Sequence, residues 1–153
     1  MNLRFWLGLL LALGPVGTVE AFNQSGNWTV ASGQGVFEYY LHGPKDSRIE
    51  LTCAPDDPWA NTPKYIAEVG FTINGTSSPD GLVTLMVDGR KFLLRDQYGT
   101  GKESTPCPEC SNLAEFWRAV RVSKTVVIRL ADGRRVQFAS AGGDKLLGKD
   151  LCQ

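Results

Sequence analysis

The sequence predicts an antiparallel β-sandwich with one packed amphipathic helix, stapled by disulfides, and three observations carry that reading. Short runs rich in β-branched and aromatic residues recur along the chain, separated by turn residues that include three Asp-Gly pairs. Only one segment shows the three-to-four-residue apolar spacing of a strong helix. Four cysteines follow an apolar leader, which is the cysteine usage of an exported, disulfide-bonded chain. A content of 42% hydrophobic and 21% charged residues is that of a globular domain and speaks against a disordered, collagenous or coiled-coil chain.

The first segment, 1–21, reads as a signal peptide. Arg4 precedes an apolar run from Phe5 to Leu13, Gly14-Pro15 breaks it, and the small residues Val19 and Ala21 are spaced as at a signal peptidase site. Nine apolar residues fall well short of the roughly 20 that span a bilayer. Cleavage is expected after Ala21, leaving 22–153 as one β-sandwich domain with no transmembrane helix, exported to the periplasm or secreted.

Strands are expected at 28–31, 36–41, 48–53, 65–73, 82–87 and 91–95, then at 125–130 and 134–140. Hydrophobic alternation fixes two hairpin registers, because a slip of one residue would turn every side chain to the other face. A two-residue turn at Asp88-Gly89 sets Leu85 opposite Phe92 and Val83 opposite Leu94, with Val87 on the same apolar face. At Asp132-Gly133 a two-residue turn would mix Ile128 and Leu130 with Arg135 and Gln137. A three-residue loop, Ala131 to Gly133 with Gly133 left-handed, pairs Ile128 with Val136 and Val126 with Phe138 instead. Between these hairpins Asn112 is the expected N-cap, with Glu115 three residues on, of a helix whose apolar stripe is Leu113, Phe116, Trp117 and Val120. Arg118 and Arg121 fall off that stripe and are expected in solvent. The segment 143–151 is expected to be a short turn or helix that carries Cys152 back to the body.

Cys53, Cys107, Cys110 and Cys152 allow three pairings. The preferred one joins Cys53 to Cys152 and closes Cys107 to Cys110 locally. Cys107-Pro108-Glu109-Cys110 also has the spacing of a redox CxxC, or of half a zinc site. Both cysteines precede the helix cap, however, and no second CxxC follows, so a structural loop staple is preferred. Gly101-Lys102 resembles the end of a phosphate-binding loop, but Asp96 stands where that motif needs Gly and Glu103 where it needs Ser or Thr. His42 is the only histidine and no nucleophile elbow accompanies it. Asp56 and Asp57 read as a solvated turn, and Asn23, Asn27 and Asn74 each open an Asn-x-Ser/Thr sequon. No catalytic, metal or cofactor set emerges.

Binding is then sought in loops and charge. The loop 54–63 holds three prolines around Trp59, and the connection 96–111, which contains Tyr98 and Lys102, is long enough to be functional in its own right. Sixteen basic residues balance sixteen acidic ones, which disfavours nucleic acid as partner. The balance hides a split: residues 22–88 carry a net −5 and residues 89–153 a net +5. Arg129 and Arg135, outward in the chosen register, are expected to join Arg118 and Arg121 in a basic face for an acidic partner.

Trp28-Thr29-Val30 after the leader, Leu51-Thr52-Cys53 ending a strand, Val87-Asp88-Gly89 midway, a helix around Phe116 and the late Cys152 form a layout that resembles small periplasmic proteobacterial proteins. It is similar in outline to the invasion-associated locus B family and to the TagO-type accessory proteins of type VI secretion. That resemblance implies an exported β-sandwich without known catalysis in which Cys53 and Cys152 form the family disulfide. The function expected from the whole is a non-enzymatic exported module that binds a protein or a cell-envelope component. A thiol-disulfide or zinc-dependent protein using the CPEC pair, and a hydrolase inhibitor, are the alternatives.

Overall fold

The computed structural model describes residues 23–55, 65–77, 81–95 and 110–152. The leader, and most of the two loops expected to bind, lie outside them. Two antiparallel sheets enclose one core. In the first, β1 (Asn23–Ser25), β2 (Trp28–Gly33), β3 (Val36–His42), β4 (Arg48–Pro55), β5 (Tyr65–Ile73) and β6 (Thr76–Ser77) lie side by side in chain order. In the second, β7 (Leu82–Val87), β8 (Arg90–Arg95), β9 (Thr125–Leu130) and β10 (Arg135–Ala139) take the order β10-β9-β7-β8. The short strands β1 and β6 are additions to the sequence reading, since two or three polar residues carry no periodicity.

Both predicted registers are observed. Leu85 faces Phe92 and Val83 faces Leu94, while Ile128 faces Val136 and Val126 faces Phe138 across the three-residue loop, in which Gly133 has φ 89°. Two further two-residue turns, Gln34-Gly35 and Asn74-Gly75, have both central residues at positive φ, as Asp88-Gly89 does. That conformation matches the twist of the flanking strands.

The helix α1 (Leu113–Val122) starts where expected, with the Asn112 side chain accepting from the N–H groups of Ala114, at 2.8 Å, and Glu115. Glu115 does not reach back to complete a capping box; its carboxylate accepts from Arg90 at 2.8 Å. Phe116, Trp117 and Val120 are fully buried. Trp117 meets Tyr39 of β3 edge-to-face at 5.2 Å and Phe116 meets Phe92 of β8 at 5.6 Å, so the helix closes the sandwich between the two sheets. It also decides the strand order. Ser111, just before the helix, accepts the Leu93 N–H through its hydroxyl and donates its own N–H to the Leu93 carbonyl, which occupies the open edge of β8. The chain leaving the helix therefore pairs with the other side of β7.

Asp88 holds that return. Its carboxylate accepts from the N–H groups of Lys124 and Thr125 and from the Thr125 hydroxyl, at 3.0–3.1 Å for the closest oxygens. These bonds, the Lys124 N–H first, hold the Asp88 carboxyl below the ordinary aspartate range. Beyond β9, Arg134 donates to Asp132 at 2.7 Å and to the carbonyls of Ile73 and Thr76, tying the β9–β10 turn to the β5–β6 hairpin. Phe138 packs so closely on Gly43 that a Cβ there would lie 2.5 Å from its ring, and Asn27 donates to the Ala139 carbonyl. β10 thus passes three turns at one end of the first sheet in succession and runs across those strands rather than along them.

Cys53 and Cys152 are joined, as preferred from sequence, across a separation of 99 residues. The tail reaches Cys53 through a short 3-10 turn, Gly143–Lys145, and two anchors on the helix. Trp117 donates its indole N–H to the Gly148 carbonyl at 2.8 Å, and Arg121 donates Nε–H to the Leu147 carbonyl at 3.0 Å. The expectation that Arg121 is solvated is corrected here: it is half-buried because the tail folds over that flank of the helix. Arg118 is exposed, as expected, and lies 3.7 Å from Asp150.

Three outcomes are expected. Replacing Cys53 and Cys152 together by Ala lowers unfolding stability by about 2–5 kcal/mol in denaturant titration, since the bridge closes a long loop. Arg121→Ala costs about 1 kcal/mol through the tail carbonyls it leaves unpaired, whereas Arg118→Ala stays within about 0.5 kcal/mol. Because the folded Asp88 pKa is depressed, its contribution is complete above the unfolded aspartate pKa and is lost as pH falls through and below that range. Denaturant midpoints between pH 7 and pH 3 should therefore fall less steeply in Asp88→Asn, and an unchanged acid limb would refute the assignment.

Candidate functional site

Of the residues singled out in sequence, Trp59, Tyr98, Lys102 and Cys107 lie outside the described residues. Cys110 is disulfide-bonded and half-buried, two residues before the helix cap. Cys53 and Cys152 bond each other and so have no thiolates to offer a metal. Among the described residues no three His, Cys, Asp or Glu side chains gather into a metal-holding group. His42 ends β3 at the surface, with Nε2 2.9 Å from the Thr29 hydroxyl. No helix among the described residues is long and apolar enough to cross a membrane.

The arginines divide into two groups. Arg118 and Arg121 sit on the helix beside the tail, while Arg129 and Arg135 sit on the outer face of the second sheet. Leu130 and Arg134 form a hydrogen-bonded pair, N–H to carbonyl at 2.9 Å, so Arg129 and Arg135, next along the ladder, form a non-hydrogen-bonded pair. Such pairs have the shorter Cα separation, about 4.5 Å, and their side chains stand closest. Like charges placed directly opposite destabilise a sheet. Two rows cross this face: Arg135, Arg129, Thr84 and Leu93, and beside it Gln137, Val127, Met86 and Lys91. The small Thr84 and Val127, with the exposed Met86, form the floor of an open groove of about 550 Å³. Arg129 and Arg135 flank the groove on one side and Lys91 flanks it on the other.

Among the outward positions of these four strands, Lys91, Arg95, Arg129 and Arg135 are basic and none is Asp or Glu. No ion pair within the described residues reaches any of the four. The Arg95 Nε is buried without a hydrogen-bond partner.

The outer face of the first sheet is the opposite case. Glu38, Thr52 and Glu68 share a cross-strand row, and Tyr40 and Glu50 share the next. Tyr40 donates its hydroxyl to Glu38 at 2.8 Å, Arg48 lies 3.6 Å from Glu50, and its guanidinium sits 6.0 Å from the Tyr40 ring centre. Burial first, then the Glu38 hydrogen bond and the Glu50 charge, push the Tyr40 hydroxyl far above the ordinary tyrosine range. Glu38 and Glu50 on this face are answered within the fold; the cations on the second sheet have no such partner among the described residues.

Lys91, Thr84, Met86 and Val127 escaped the sequence reading as site residues. The predicted β7–β8 register already turned Thr84, Met86 and Lys91 outward, but the pairing of β7 with β9, which brings them to Arg129, is non-local and has no sequence signal. No curated protein and no solved structure matches the chain significantly. A family profile described as YfjT matches residues 26–147, which run from the β1–β2 turn through both sheets, the helix and the 3-10 turn, and the chain belongs to the YfjT family.

Proposed function

We propose that the protein is a non-enzymatic binding module that works outside the cytoplasm and presents the outer face of its second sheet to an anionic partner, either an acidic protein or a component of the cell envelope. The observation that carries this reading is the set of four cations, Lys91, Arg95, Arg129 and Arg135, on strands whose outward positions hold no carboxylate, with no ion pair reaching them among the described residues. Exposed like charges that serve only solubility are usually interspersed with the opposite sign. Lys91, Arg129 and Arg135 are exposed and so available to an anion from outside. The apolar leader with its Val19 and Ala21, and the paired cysteines, support an exported site of action.

Poly-L-glutamate is a suitable probe of the face. Retention of the protein on immobilised poly-L-glutamate should fall steeply between 50 and 300 mM salt, as surface charge is screened within about 10 Å at 0.1 M. The double substitution Arg129→Glu with Arg135→Glu should abolish retention, while the melting temperature changes little because both side chains are exposed and one like-charge pair replaces another. Retention unchanged by that substitution would sink the proposal.

A further inference from the structure

We infer that the Arg129–Arg135 pair seats a phosphate group and that the adjoining floor takes an apolar chain attached to it, so that the groove holds one molecule of a phosphate-bearing amphiphile. This rests on the reading of the second sheet's outer face as the binding surface, and it names the ligand class. A single carboxylate has one charge and two oxygens and is satisfied by one arginine fork. Two guanidiniums held side by side match a dianionic tetrahedral group, which offers three free oxygens. The neighbour of Arg129 on the other side is Thr84, whose hydroxyl can donate to one of those oxygens. An anion between the two arginines also removes the repulsion that their direct opposition creates.

The rest of the groove is not built for inorganic phosphate alone. Val127 lies two residues from Arg129 along β9, Met86 faces Val127, and Leu93 ends the arginine row, so apolar surface leads away from the pair. Met86 is 36% exposed and stands beside Val127 on the outer face. Lys91 borders this floor on the side away from the arginines. Across the strands Lys91 is two spacings from Arg129 and three from Arg135, roughly 10 and 14 Å, which leaves room for a chain between. The groove's volume of about 550 Å³ lies within the range of small-molecule sites.

The test is a titration of the purified, disulfide-bonded protein followed by 1H–15N spectra. The ligands are inorganic phosphate, octyl phosphate below its micelle concentration, octanoate, and vesicles of phosphatidic acid in phosphatidylcholine. Octyl phosphate should shift Thr84, Val127, Arg129 and Arg135, and should bind at least about tenfold more tightly than inorganic phosphate, because it buries its chain. It should also outbind octanoate by about tenfold, because of its second charge. Arg129→Gln with Arg135→Gln should remove the advantage over octanoate, and Met86→Thr should shrink the advantage over inorganic phosphate; both sites are exposed, so the variants should fold. Equal affinity for octyl phosphate and octanoate overturns the phosphate seat. Equal affinity for octyl phosphate and inorganic phosphate overturns the apolar chain. Binding to vesicles without binding of the monomer overturns the single-molecule site in favour of a lipid surface. If poly-L-glutamate is retained through Arg129 and Arg135 while octyl phosphate leaves the spectra unchanged, this inference falls and the broader reading stands. If neither binds, both fall.

Discussion

The placement of everything beyond the first sheet depends on one buried hydrogen bond, from the Trp28 indole to the Ser140 carbonyl at 2.7 Å. Trp28 opens β2 and is fully buried, so its N–H has no water to turn to. Ser140 follows β10, and its hydroxyl lies 2.6 Å from that of Ser123, the C-cap of the helix, which in turn donates to the Val120 carbonyl. Three parts of the chain that are distant in sequence therefore meet at one indole. An unanswered donor or acceptor in that place would cost about 1–3 kcal/mol, beyond the loss of aromatic packing. With this junction fixed, β10 lies across the turns of the first sheet and the second sheet's outer face is turned to solvent.

Much of what depended on neighbours in the chain was legible in the sequence, although the Asn74-Gly75 turn and the short β6 it leads into were not read from it. Asp88-Gly89 and Ala131 to Gly133 gave their registers because alternation admits only one arrangement with the apolar residues inside, and Asn112 gave the helix start through its side-chain cap. What else escaped depended on partners far away. Arg121 looked solvated because its position on a helical wheel says nothing of a tail that folds back to it 26 residues later. Arg134 likewise reads as one more turn cation, yet it spans 61 residues to reach Ile73. The candidate site was half legible for the same reason: two of its arginines follow from a local hairpin, and the lysine and floor opposite them arrive through the β7–β9 pairing.

The net charge of zero conceals a division by sheet. Two carboxylates on the first sheet's outer face have partners there, Glu38 in Tyr40 and Glu50 in Arg48. Basic side chains on the second sheet's outer face stand without counter-ions among the described residues. Because the core lies between the two faces, the described residues have an electrical polarity from one sheet to the other. An approaching anion is turned toward one face before any contact forms, an effect that acts on the rate of encounter more than on the strength of the final complex.

The Cys53–Cys152 bridge also imposes an order on the chain's maturation. Cys53 is made 99 residues ahead of its partner, and both Cys107 and Cys110 are synthesised in the interval. A thiol kept waiting that long is exposed to the wrong partner. Two cysteines separated by only two residues close on each other at a much smaller entropic cost than either would pay to reach back to Cys53. Cys110 is itself disulfide-bonded in the folded chain, so that competitor is withdrawn from the exchange that would undo the long bridge.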